Sequence, residues 1–272
     1  MKPLKFVHIT DLHCSNKTKP ELMARATRLI NEQKPDVIVC TGDFIQKAEE
    51  PSQTEAFHQI AKSFIDTLEC KNFYKIPGNH DCYDRQRNNT LDVYKKHWHD
   101  ENFVVNLEGL FMLGVNSSVI NERIQQVSYS AGVVADESVK FIEDNIKLAD
   151  KNDFRVFCLH HHLLPMFNDT FNDDESGINL DIVWNSGTIL RILRQNRFDL
   201  VLQGHKHDPE LFNLDDTIFL IGSTLLKNLP EGTENSFYTI AIDELVTIKI
   251  HYLQSETSRV VHCAPNRRYL PY

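Results

Sequence analysis

Over the first eighty residues the apolar positions alternate between short continuous runs and a three-to-four-residue spacing. Phe6-Val7-His8-Ile9-Thr10 is a short run rich in β-formers. From Pro20 onward Leu22, Ala26, Leu29 and Ile30 recur on one face of a helix, which Pro can open because its missing N–H would be unpaired there anyway. Pro35 stops that helix, and Asp36-Val37-Ile38-Val39-Cys40 reads as a buried parallel strand, since only a strand covered on both faces is apolar without alternation. Phe57, Ile60, Ala61, Phe64, Ile65 and Leu68 fit a second helix, and Phe73-Tyr74-Lys75-Ile76 is a third strand that ends at Pro77-Gly78. The order β-α-β-α-β predicts a parallel sheet with right-handed crossovers.

Beyond residue 90 the pattern is less regular. Residues 90–98 read as a helix, 103–107 and 110–115 as paired strands, and Asp136 as the cap of a helix carrying Val139, Ile142 and Ile146. Arg155-Val156-Phe157-Cys158-Leu159 is a buried strand. A polar, Asn- and Asp-rich insertion at 167–187 leads into a helix with Ile189, Ile192 and Leu193, followed by the strand Asp199-Leu200-Val201-Leu202. After residue 210, alternation predicts mostly antiparallel strands at 211–214, 217–221, 236–242 and 246–252, with 256–272 as a tail. With no internal repeat and no Gly/Ser linker, the expectation is one domain over 1–272, its motif-bearing core at 6–208 and its antiparallel strands at 209–255. The fold class is α/β, two mixed sheets packed together with helices outside.

Composition narrows the class without naming it. The chain has 272 residues, of which 41% are hydrophobic and 25% charged, an ordinary balance for a globular protein. Its 38 acidic against 29 basic residues give a formal charge of −9, which argues against gripping a long polyanion and for a small substrate. The N-terminus has no apolar signal core, and no stretch approaches the roughly 20 apolar residues of a membrane span. Cys14, Cys40, Cys70, Cys82, Cys158 and Cys263 show no paired spacing, so a reduced, cytoplasmic compartment is expected.

The metal-capable residues fall in five clusters, each just past a predicted strand. They are Asp11-Leu12-His13, Gly42-Asp43, Gly78-Asn79-His80-Asp81, His160-His161-His162 and Gly204-His205-Lys206-His207. In open α/β sheets the loops at that strand edge converge on a crevice where ligands bind. Carboxylate, imidazole and amide donors without thiolate suit divalent Mn, Fe or Zn. Two such ions roughly 3.5–4 Å apart can hold a phosphoester in line for displacement. Bridging them needs a carboxylate with both oxygens free, for which Asp43 is the natural candidate. Asp-x-His and His-x-His put alternate residues of an extended segment on one side, and the glycines before Asp43, Asn79 and His205 permit a sharp turn.

Together these five motifs resemble the calcineurin-like metallophosphoesterases across residues 6–208. The Leu-His-His-His run and the chain length look closest to the class III cyclic-nucleotide phosphodiesterases. The resemblance implies a four-layer α/β/β/α sandwich and two divalent metal ions. Asp11, His13 and His207 would hold the first ion, Asn79, His160 and His205 the second, and Asp43 would bridge them. A metal-bound hydroxide would be the nucleophile, and His80, oriented by an acid such as Asp81, would donate a proton to the phosphoester. The implied substrate is a small-molecule phosphodiester such as a cyclic nucleotide. The family also includes phosphomonoesterases and nucleases, and a catalytically silent binding module on this scaffold is a further alternative. Nothing in the sequence points to a membrane partner or fixes an oligomeric state.

Several residues carry plainer readings. The residue pattern leaves the choice among His160, His161 and His162 open, and only the resemblance assigns His160. His161, pointing the other way, and Cys14 are candidates to back the metals or meet substrate. His162 reads as surface, His8 as a core residue, and His97 and His99 beside Trp98 as a helix surface. Asp173-Asp174-Glu175 reads as a solvated loop or a lid, and Arg191, Arg194 and Arg197 as a solvated helix face.

Overall fold

The computed structural model describes residues 4–119, 131–165 and 182–265. Its strands are β1 (Leu4–Ile9), β2 (Val37–Cys40), β3 (Phe73–Lys75), β4 (Phe103–Leu107), β5 (Leu110–Gly114) and β6 (Phe154–Cys158). They continue with β7 (Leu200–Gln203), β8 (Glu210–Leu214), β9 (Thr217–Ile221), β10 (Ser236–Ile242), β11 (Leu245–Tyr252) and β12 (Ser258–Pro265). The helices are α1 (Pro20–Glu32), α2 (Pro51–Ile65), α3 (Asn79–Cys82), α4 (Leu91–Trp98), α5 (Asp136–Asn145) and α6 (Ser186–Gln195).

These strands form two six-stranded mixed sheets. One has the order β12-β11-β10-β1-β2-β3 and the other β4-β5-β6-β7-β9-β8. In the first, β1, β2 and β3 run parallel and β10 joins β1 antiparallel; in the second, β5, β6, β7 and β9 run parallel between antiparallel edges. Side chains alternate between two cores. From β1 and β2, Phe6, Val37 and Val39 face the other sheet, whereas Val7, Ile9, Ile38 and Cys40 pack with Ala26 and Ile30 of α1 and Ala61 and Phe64 of α2. On the opposite side, Phe157 and Val201 pack with Ile142 of α5 and Ile189 of α6. The architecture is therefore helix, sheet, sheet, helix, and burial of both strand faces explains the continuous apolar runs.

Three local expectations change. The segment read as a tail contains β12, an edge strand paired antiparallel to β11. Its Val260 is 54% exposed, so burial leaves no alternating apolar signature there. Ala135 takes the cap position of α5, and Asp136 lies in the first turn without a side-chain cap bond, where a carboxylate still meets the positive helix end. Trp98 is buried, with its indole N–H donating to His58 Nδ1 at 3.1 Å, and His97 beside it is half-buried, so of the two histidines only His99 is fully on the surface. Most of the polar insertion, including the Asp173-Asp174-Glu175 run, lies outside the described residues. All six cysteines are free. Among the described residues no helix is long and apolar enough to cross a membrane.

Candidate metal centre

The segments leaving β1 and β2 run side by side. Asp11 N donates to Gly42 O, His13 N to Asp43 O and Cys14 N to Phe44 O, each at 3.0 Å. These segments are not extended, as the Asp-x-His spacing suggested. Asp11 (φ 52), His13 (φ 47) and Asp43 (φ 51) sit in the left-handed region, as do His205 (φ 79) and His207 (φ 60). Asp and His tolerate that region better than most residues. Gly42 also has φ 99, and a Cβ there would come within 2.5 Å of Gly78 N. Gly204 needs no unusual φ; a Cβ on it would collide with Thr10 Oγ1 and Asp11 Oδ2. Glycine is required there for close approach of two loops, not for a turn.

This backbone brings two groups of donors together. Asp11, His13, Asp43 and His207 each offer an atom, and these atoms lie within 4.8 Å of one another. His13 Nε2 is 2.6 Å from His207 Nε2, which is 3.2 Å from Asp11 Oδ1. In the second group Asn79 Oδ1 stands 3.0 Å from His160 Nε2 and 3.1 Å from His205 Nδ1. Asp43 joins the two, with Oδ2 3.7 Å from His13 Nε2 and Oδ1 3.4 Å from His160 Nε2. Imidazole nitrogens crowded nose to nose against carboxylates fit divalent cations of the type that takes N and O ligands.

Hydrogen bonds behind the donors orient them. His160 Nδ1 donates to Thr41 O at 2.8 Å, which aims Nε2 inward. Asp11 accepts from the Thr10 hydroxyl at 2.6 Å and from His205 N at 3.0 Å, while the Thr224 hydroxyl donates to Asp11 O at 2.6 Å. Burial alone would raise the Asp11 and Asp43 carboxyls, but the surrounding imidazoles hold both well below the ordinary range. Burial works against charge on His160, yet Asp43 and Asp11 outweigh it and push the ring up to about 9. Burial keeps His13 and His205 neutral. Such a cluster favours positive charge at its centre.

His80 stands at the mouth, with Nε2 3.8 Å from Asp43 Oδ2 and its side chain 20% exposed. Its Nδ1 accepts from Lys47 N at 2.9 Å, so a neutral ring carries its proton on Nε2. Burial pushes its pKa down to about 3, which makes it a neutral N–H donor. Asp81 does something other than orient it. Its carboxylate accepts from Gly78 N at 2.8 Å, Phe44 N at 3.1 Å and Ile45 N at 3.3 Å, tying the loops after β2 and β3 together. Burial and the Asp43 charge push the Asp81 carboxyl up to about 8 against the pull of those amides.

The remaining histidines separate clearly. His161 is fully buried, with Nδ1 3.0 Å from Ser117 Oγ and its ring 4.5 Å from that of His205. His162 is buried rather than on the surface, and its Nε2 donates to Gly204 O at 2.7 Å. His8 pairs with Thr41 Oγ1 at 2.8 Å inside the core. Cys14 and Cys82 are buried, and burial pushes both thiols up. Sequence reasoning missed two groups. One is the Lys47 amide, a backbone donor that carries no residue signal. The other is Lys227, whose Nζ lies 3.1 Å from His207 Nδ1; it comes from a loop with no motif.

Residues 4–209 match the calcineurin-like phosphoesterase family. The chain is 32% identical over 78 residues to the UDP-2,3-diacylglucosamine pyrophosphatase LpxG of Chlamydia trachomatis, a match covering 29% of this chain and 22% of that protein's length. Among solved structures, a dimetal phosphatase from Danio rerio superposes with TM-score 0.72 at 11% identity, over 95% of this chain and 98% of that one. The purple acid phosphatase PPD1 of yellow lupin gives 0.70 at 14% identity, over 100% and 55%. GAP50, the anchor in the inner membrane complex of Plasmodium, gives 0.62 at 12% identity, over 97% and 88%. These likenesses establish the fold alone.

Proposed function

The chain belongs to the calcineurin-like phosphoesterase family, and on that premise we propose that it hydrolyses a small-molecule phosphodiester, such as a cyclic nucleotide, at a dinuclear metal centre. Asp11, His13, Asp43 and His207 would hold one ion, and Asp43, Asn79, His160 and His205 the other. The observation that carries this is Asp43, whose two oxygens face the two donor groups separately. Mn, Fe and Zn all suit the donor set. Bound there, such ions would supply Lewis acidity and lower the pKa of water. The protein's own residues do the rest. His80 offers an Nε2–H at the mouth to an oxygen of the phosphoester, fixed in that tautomer by the Lys47 amide. Asp81 keeps the β2 and β3 loops in register so that Asp43 and Asn79 face one centre.

A diester needs one phosphate charge neutralised and room for two ester arms, which a two-ion clamp on an open mouth supports. The formal charge of −9 argues against a long nucleic acid, and six free cysteines support a cytoplasmic location. The partial match to LpxG favours a pyrophosphate-type diester as a second reading. A silent scaffold is the third, in view of the fold shared with GAP50, the anchor in the inner membrane complex of Plasmodium. Elemental analysis together with a Mn-supplemented panel of cyclic mononucleotides, an aryl diester, an aryl monoester, a nucleoside diphosphate sugar and single-stranded DNA tests all three. Bound metal with fastest turnover of a diester supports the proposal. Metal-free, inert protein overturns it.

A further inference from the structure

Two of the imidazoles in the centre differ in what stands behind them. His160 has the Thr41 carbonyl at its Nδ1, an acceptor for the proton that a ring keeps when it gives Nε2 to a metal. His207 has the Lys227 ammonium at its Nδ1, 3.1 Å away. An ammonium has three donors and no acceptor, so it cannot serve a metal-ligating His207 in that way. Nor is Lys227 simply loose on the surface. Its own carbonyl accepts from Asn235 Nδ2 at 2.9 Å. The loop that carries it is pinned to the site, with Leu225 N donating to Thr10 O and Asp11 O, both at 3.2 Å. Among the described residues no carboxylate pairs with it. It also stands on the open side, since the His207 side chain is 22% exposed and that of His160 is fully buried.

From this we infer that Lys227 binds a non-bridging oxygen of the substrate phosphate at the mouth of the centre. The inference rests on the phosphoesterase reading and adds a residue that no motif contains. A four-carbon stem lets the ammonium leave His207 and follow the anion. Because the contact is to charge, it weighs more for a doubly charged phosphate than for a singly charged diester.

The test compares wild type, Lys227→Ala and Lys227→Arg as metal-loaded protein, reading metal content by elemental analysis and inorganic phosphate binding by calorimetry, with KM and kcat for an aryl diester and an aryl monoester. Lys227→Ala is expected to keep its metal, to bind phosphate about tenfold more weakly, and to raise KM more for the monoester, with Lys227→Arg retaining most of the affinity. Unchanged phosphate binding in Lys227→Ala overturns the inference. So does loss of metal, which would make Lys227 a support for His207. A wild-type protein that binds neither metal nor phosphate overturns the phosphoesterase reading and this assignment together, whereas failure of the variant alone leaves that reading intact.

Discussion

The two flanks of the centre are built from the same side-chain types and differ in what lies behind them. On the closed flank, His160 and His205 meet edge to face around Asn79 and pack against the buried His161, with ring centroids 4.5 to 5.1 Å apart. A carbonyl behind His160 fixes its tautomer. On the open flank, His13, His207 and His80 meet edge to face at 4.6 and 4.7 Å, and the groups behind His80 and His207 are donors, an amide and an ammonium. The carbonyl behind His160 prepares that ring as a ligand, and the amide behind His80 prepares its Nε2–H to donate. The closed flank is thus arranged to hold an ion, and the open flank both to hold one and to present N–H donors to an anion.

Asp43→Asn breaks the distinction outright. Removing the charge shared by both donor groups should strip metal from both and bring turnover to background, and elemental analysis beside a rate assay checks the two losses together. Near-wild-type activity would remove Asp43 from the bridging position. His160→Ala and His207→Ala should each lose one ion and most turnover but differ in stability. The fully buried His160 should cost about 2–4 kcal/mol as a cavity with lost hydrogen bonds, and the partly exposed His207 clearly less. Equal melting shifts would erase the contrast between the flanks. His80→Ala should keep both ions and lose about 10²–10⁴-fold in rate; loss of metal would make His80 a ligand. Cys14→Ser, which puts a hydroxyl among apolar neighbours, should cost about 1–3 kcal/mol of stability and leave KM unchanged. A KM shift would put Cys14 in contact with substrate.

Much of this was legible along the chain. The strands β1, β2, β4, β6, β7, β9 and β10 fall within a residue or two of where apolar runs and alternation put them, because burial on one or both faces writes a period into the sequence. β12 escaped because it is an exposed edge. The five clusters were visible because each combines a short polar motif with a strand end, and the structure brings Asp11, His13, Asp43, Asn79, His160, His205 and His207 to one place. The choice within His160-His161-His162 was not legible. Successive residues at a strand end diverge, and only the packing of Asn79 and Asp43 against one ring distinguishes them.

By itself, the sequence determined the α/β class, the strand edge on which the chemistry sits and the kind of donors gathered there, since these depend on local periodicity and residue type. Tertiary structure decided which nitrogen each imidazole turns inward, that Asp81 binds backbone amides instead of His80, and that Lys227 stands beside His207 although 20 positions separate them. A tautomer or a charge at a mouth depends on which donor or acceptor arrives from a distant loop. No local pattern encodes that arrival.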